Sequence, residues 1–288
     1  MWNILGPRGR LCDSVSRREL LPIGSVPLIG LSLPQLFSVQ ASAVESGARP
    51  PGFASAQSVI FVYLQGAPSH IDLWDPKPDA PAEIRGEFKP ISTAAQGVFI
   101  GEVLPKLARQ ADKFTIIRSV GCKPKGLPNH GSAIYMLMTG HDSNNFSPTG
   151  LALPPSRDDL LDQSLSALIA DLHDRGLLAS TLVVAVGEFG RSPKIGASTT
   201  NNVGPGGRDH WPECYSALVA GAGVQPGRVY GESDRFGAYP KLNPVHPYDL
   251  LSTVFHAVGI DPDAEYTDNL NRPRRLVDHG GPVLGLFS

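Results

Sequence analysis

Acids, imidazoles and arginines recur in this sequence directly beside short apolar runs. Ser69, His70, Asp72 and Asp75 follow the run Ser58–Gln65, and Cys122, Asn129, His130 and Ser132 follow Phe114–Ile117. Glu188 and Arg191 follow Thr181–Val186, and Arg208, Asp209, His210 and Trp211 precede Ser216–Ala220. Carboxylates and imidazoles drawn from such positions suit zinc, manganese or a related divalent ion. An ion of that kind polarises an ester oxygen and lowers the pKa of its bound water. Each residue also has a plain structural reading. Asp72 and Asp75 are either ligands or turn and cap residues of the Asp-Pro-Lys-Pro segment. His130 is either a site residue or the cap of the helix that follows. Arg191 and Arg208 either hold an anionic ester or form ordinary ion pairs. Glu188, bracketed by Gly187 and Gly190 after a buried run, is in a costly place for a charge without a partner. The adjacent Asp209 and His210 supply two ligands, or one ligand and the group that orients it.

These residues matter only if the chain brings them together. Ser58–Gln65 is a continuous apolar run rich in β-branched and aromatic residues, the pattern of a buried, parallel strand. Phe114–Ile117, Thr181–Val186 and Ser216–Ala220 read as further strands. Val103, Leu104, Leu107, Ala108 and Ala111 recur at helical spacing, and His130–Met138 reads as a helix ending at Gly140. Asp159–Arg175 carries Leu161, Leu165, Leu168, Ile169 and Leu172 on one face and stops at Gly176. Pro247–Val258 starts on a proline and ends at Gly259. Alternating strands and helices predict an α/β fold, a mainly parallel sheet flanked by helices. In such sheets ligands bind beyond the carboxyl ends of the strands, where the candidates cluster.

Composition sets the class. Of 288 residues, 41% are hydrophobic, so a sizeable core is expected. The net charge of −2 gives no basic excess for nucleic acid or an acidic membrane surface. The 31 glycines and 27 prolines imply many loops. Cys12, Cys122 and Cys214 form no metal-finger spacing; they are inert thiols, or Cys122 and Cys214 are bridged in an oxidising compartment. Ser16-Arg17-Arg18 precedes a weakly apolar run, Leu20–Phe37, that ends at Ala41-Ser42-Ala43. Paired arginines before such a run predict a twin-arginine signal over residues 1–43, cleaved after Ala43, with export to the periplasm or beyond. The prolines in that run speak against a membrane span, and no other segment is apolar enough for one. A flexible lead-in is expected over 44–57 and one domain over 58–288.

Several segments together resemble one family of secreted proteins, domain of unknown function 1501, frequent in planctomycete-type bacteria. They are the Ser-Arg-Arg signal, Leu64–Asp72 with Asp75-Pro76-Lys77-Pro78, Asn129-His130-Gly131 leading to Leu137–Gly140, Gly187–Pro193, and Gly207–Pro212. The resemblance implies an alkaline-phosphatase/sulfatase-like fold and a divalent metal ion (zinc, manganese, magnesium or calcium). It also implies hydrolysis of small phosphate or sulfate esters. Asp72, Glu188, Asp209 and His210 would hold the metal, and Arg191 or Arg208 the anion. Departures accompany it. Glu188 and Phe189 stand where sulfatases have aspartate and histidine. His130 takes the place of the nucleophile, with Ser132 nearby but offset. Between Gly140 and Asp159, where the family carries a long middle segment, only a Ser/Asn/Pro-rich join remains, as if the middle near 141–158 were deleted. These departures imply a weak or inactive hydrolase; the other class is a non-catalytic secreted binding protein that keeps the fold.

Overall fold

The computed structural model describes residues 50–122, 130–139, 158–197, 207–267 and 272–287, with the short strands Ser25–Val26 and Leu31–Ser32. Its centre is a five-stranded sheet built from β1 (Ser58–Tyr63), β2 (Phe114–Val120), β3 (Thr181–Val186), β4 (Tyr215–Ala220) and β5 (Arg228–Tyr230). The order across the sheet is β5-β2-β4-β3-β1. β1 runs parallel to β3 and β5 parallel to β2, but β4 is antiparallel to both of its neighbours.

The sheet is therefore mixed, which corrects the expectation of a mainly parallel one. The chain leaves β3, makes a two-stranded ribbon from Gly190–Arg191 and His210–Trp211, and enters β4 beside the end it left. A parallel neighbour needs a crossover that carries the chain back to the other end of the sheet. The sequence hid this because a strand apolar on both faces looks alike in either direction.

Alternation along β3 and β4 separates two cores. Leu182, Val184, Val186, Ala217 and Val219 face one side. There they meet the helix Pro247–Ala257, Met136 and Leu137 of the helix His130–Thr139, and the tail residues Leu276, Val277, Leu286 and Phe287. Val183, Ala185, Leu218 and Ala220 face the other side, against Leu161, Leu165, Ile169 and Leu172 of the helix Asp158–Asp174. Buried Asp162 of that helix accepts the backbone N–H groups of Lys106 and Leu107, which open the short helix Pro105–Ala108. The periodicity over Val103–Ala111 predicts a longer helix. Only Pro105–Ala108 is α-helical, and a 3₁₀ turn follows at Ala111–Lys113.

The lead-in is tied down over its described part. Ala54 and Ala56 donate N–H bonds to the carbonyls of His256 and Ala257, and His256 Nε2 lies 2.9 Å from the Pro51 carbonyl. Residues 44–49 lie outside the described residues.

Candidate functional site

The loops that leave β1 and β3 and enter β4 meet at one end of the sheet. Leu64-Gln65-Gly66-Ala67-Pro68 turns the chain out of β1 into the helical turn His70–Leu73. Ser69 caps that turn by accepting the Asp72 N–H. Gly187-Glu188-Phe189 leaves β3 and enters the ribbon, in which Arg191 pairs with His210. Segments 140–157 and 198–206 lie outside the described residues.

Each sequence-predicted ligand has a partner from the protein itself. Asp72 is held bidentately by Arg208, Nε to Oδ2 at 2.8 Å and Nη2 to Oδ1 at 3.0 Å. Arg208 spends further donors on the carbonyls of Ile84, at 2.7 Å, and Pro193. Glu188 is buried, and the Tyr63 hydroxyl donates to its Oε2 at 2.7 Å. Burial first, and that carboxylate second, push the Tyr63 hydroxyl above its usual pKa. Asp209 is fully buried, and its Oδ1 takes the His210 backbone N–H at 2.8 Å and lies 2.7 Å from His210 Nδ1. The His210 ring packs edge-on to Phe189, with 5.2 Å between centroids.

Arg191 turns inward rather than toward a ligand space. Nε donates to the Ala67 carbonyl at 2.8 Å and Nη2 to that of Gly66 at 2.5 Å, so the side chain locks the β1 exit loop onto the ribbon. Burial lowers its pKa, while the charges of Glu188 and Asp209 oppose the shift.

Asp75 anchors a second network. It is buried and meets Lys77 Nζ at 2.8 Å, Arg118 Nε at 3.5 Å and the Ser233 hydroxyl. His70, also buried, lies with Nε2 2.8 Å from the Gly237 carbonyl, which accepts from that nitrogen; Nδ1 is buried with no hydrogen-bond partner. The turn 69–75 thus clamps the Arg208 loop, β2 and the hairpin Glu232–Ser233/Pro240–Leu242. Burial lowers the pKa of His70, against the attraction of Asp75, while Lys77 and Arg208 reinforce the lowering. An unfolded chain takes up that proton more readily than the folded one. The stability contributed by neutral His70 is therefore complete above about pH 6.5, the unfolded value, and is lost as pH falls from there through the depressed folded value. Urea titrations at pH 7.5 and 5.0 are expected to show a larger acid loss for wild type than for His70→Gln, which keeps a donor and does not titrate. Equal losses would refute this.

Among the described residues no group of three or more His, Cys, Asp or Glu side chains is placed to hold a metal. A guanidinium occupies both oxygens of Asp72, and Glu188 and Asp209 each give an oxygen to a local donor. The described candidate donors are thus engaged by the protein and are not gathered in a group of three or more. His130 and Ser132 lie in the first turn of the helix His130–Thr139, with side chains outside those described. Cys122 and Cys214 are free and buried; burial pushes the Cys122 thiol up to about 12 and the Cys214 thiol further. Sequence reasoning missed Tyr63, Ser192, which accepts the Asp209 N–H at 3.0 Å, and Ser233. Only Tyr63 left a signal, as a polar-tipped aromatic closing an apolar strand.

Among solved structures, the chain is similar to a phosphonate monoester hydrolase from Silicibacter pomeroyi at 18% identity and a TM-score of 0.26. That match covers 49% of this chain and 29% of the other. It is also similar to Ps i-CgsB, solved with k-i-k-neocarrahexaose, at 20% identity and a TM-score of 0.23, over 36% of this chain and 21% of that one. This chain thus spans less than a third of either relative. No protein of curated function matches the sequence. The model of a family described as "Protein of unknown function (DUF1501)" matches residues 56–153 and 154–287, and the chain belongs to that family.

Proposed function

We propose that this chain is an exported, hydrolase-like protein that turns over phosphate and sulfate esters weakly or not at all. In this reading its charged strand-end residues serve as structural partners. The Asp72–Arg208 pair carries the proposal. It removes one candidate metal ligand and one candidate anion-binding arginine at once, because each satisfies the other. Arg191 likewise gives two of its donors to main-chain carbonyls, leaving fewer for an ester. With these groups engaged by the protein itself, fewer of the described donors are left to stabilise developing charge, the largest usual source of rate acceleration. The test is release of aryl alcohol from aryl phosphate and aryl sulfate by the purified protein, supplied in turn with zinc, manganese, magnesium and calcium. The expected result is turnover near background, changed less than about threefold by Glu188→Ala or His210→Ala. Multiple turnover abolished by either substitution overturns the proposal.

One observation favours a second reading, metal-assisted ester hydrolysis with Asp72, Glu188, Asp209 and His210 as ligands. Asp209 is fully buried while the His210 side chain is 27% exposed, and the carboxylate fixes the ring through Nδ1. Such pairs orient ligating or proton-transferring histidines. Metal bound stoichiometrically by wild type and lost in both Glu188→Ala and His210→Ala would support this reading.

Export belongs to the proposal and rests on Arg17-Arg18 and Ala41-Ser42-Ala43. Changing both arginines to lysine is expected to leave full-length precursor in the cytoplasm, by immunoblot of fractionated cells. Unimpaired processing of that variant counts against the twin-arginine route. A deleted middle near 141–158 also belongs to the proposal, and rests on the short Ser/Asn/Pro-rich join between Gly140 and Asp159.

A further inference from the structure

β1 has a sequence suited to the middle of a sheet but sits at its edge. Val59, Ile60, Phe61, Val62 and Tyr63 place apolar side chains on both faces. Val59, Phe61 and Tyr63 pack on one core, and Ile60 and Val62 on the other. In the described sheet β1 pairs with β3 alone. Every residue of β3 and β4 is buried, whereas Val59–Tyr63 are all left half-buried. Edge strands in stable proteins are usually blunted by a charge, a proline, a bulge or shortness. β1 is six residues long, uncharged, free of proline and in unbroken register with β3.

We infer that β1 is a self-association edge, and that its occupant is β1 of a second copy of this chain. Charge and symmetry select this partner. A strand without charge has no side chain to draw a charged peptide, and pairing with itself sets apolar side chains opposite apolar ones and no like charges opposite one another. A two-fold axis perpendicular to the sheet keeps both faces in common, so residues of one core meet residues of the same core. Centred on Phe61, antiparallel pairing sets Phe61 beside the partner copy's own Phe61. It also sets Val59 opposite Tyr63 and Ile60 opposite Val62, apolar pairs of the kind that stabilise ladders. Two five-stranded sheets become one, and both cores continue across the join. A six-residue strand spans only about 20 Å. It falls short of the about 800 Å² per partner of a standard interface, so the dimer is weak and concentration-dependent.

The test combines sedimentation equilibrium with hydrogen exchange on the full chain, from low to high micromolar concentration. The expected result is a monomer–dimer equilibrium in which amide protection over Val59–Tyr63 rises with the dimer fraction. Val59→Lys should weaken dimerisation at least about tenfold, since pairing would bury its charge. If Val59→Lys fails to fold, the exchange data on wild type decide alone. A monomer at every concentration overturns the inference. So does a dimer without added protection at these amides, which would associate elsewhere. Protection of the same amides in a monomer also overturns it, because the edge would then be covered by the chain's own residues.

Discussion

Replacing Asp72 by alanine is expected to destabilise the fold by about 3 kcal/mol, the low end of what removing one partner of a buried ion pair costs. The Arg208 side chain is 6% exposed and that of Asp72 18%, so water reaches the carboxylate more readily than the guanidinium it leaves behind. Arg208 keeps its carbonyl acceptors, which limits the loss but does not supply a counter-charge. Gly86, at a φ of 72°, lies against both groups; a Cβ there would lie 3.1 Å from Arg208 Nη2 and from Asp72 Oδ1. A double-mutant cycle with Arg208→Met, read by urea denaturation, should give a coupling of at least about 1 kcal/mol. Divalent ions should not widen the gap between wild type and Asp72→Ala. A melting temperature raised by zinc or manganese in wild type and not in Asp72→Ala would make Asp72 a ligand and the ion pair a substitute for it.

Gly190→Ala is the second large effect, expected at or above the upper end of the about 1–3 kcal/mol typical of overpacking. A Cβ at this position would overlap the Cys214 carbonyl oxygen and lie 2.8 Å from Tyr215 Cβ and 3.1 Å from His70 Nδ1. The carbonyl belongs to the residue that enters β4, so no rotamer change clears it. Relief requires the ribbon to move away from the sheet, carrying Arg191 and His210 with it. The variant should therefore lose stability and also loosen Arg191 from Gly66 and Ala67. Gly281→Ala is the control, because a Cβ there meets nothing within 4 Å. Similar melting temperatures for the two variants would show that the ribbon is not packed this tightly.

The sequence was most legible where periodicity is long. The helices Asp158–Asp174 and Pro247–Ala257 and the strand Thr181–Val186 lie where their apolar spacing puts them. β5 escaped notice because Arg228-Val229-Tyr230 is too short for alternation to register. For the site, the sequence located the loops but not their internal economy. Asp72, Glu188, Arg191, Arg208, Asp209 and His210 do come to one end of the sheet. Their partners come from far along the chain: Arg208 is 136 residues from Asp72, and Tyr63 is 125 from Glu188. A carboxylate bound for an arginine and one bound for a metal look alike until that distant partner is placed. Of the structural alternatives weighed, Arg208 forms the ion pair here, and Asp72 is its partner while Ser69 caps the turn.

The fastening of Pro50–Ala56 to the helix Pro247–Ala257 and to Phe287 has a kinetic meaning. Ala54 and Ala56 find their acceptors at His256 and Ala257, and a side chain at Gly52 would collide with the Phe287 ring. β1 itself must wait for β3, and β2 for β4. The pairings of β1 and β2 in the central sheet join residues made early in synthesis to residues made late. Residues 50–56 and β1 lack these partners until the residues from β3 to Phe287 have been made. Folding of such a non-local topology is expected to be slow. During that interval the apolar stretch Val59–Tyr63 is exposed, and yield should depend on temperature and on chaperones that hold unfolded chains.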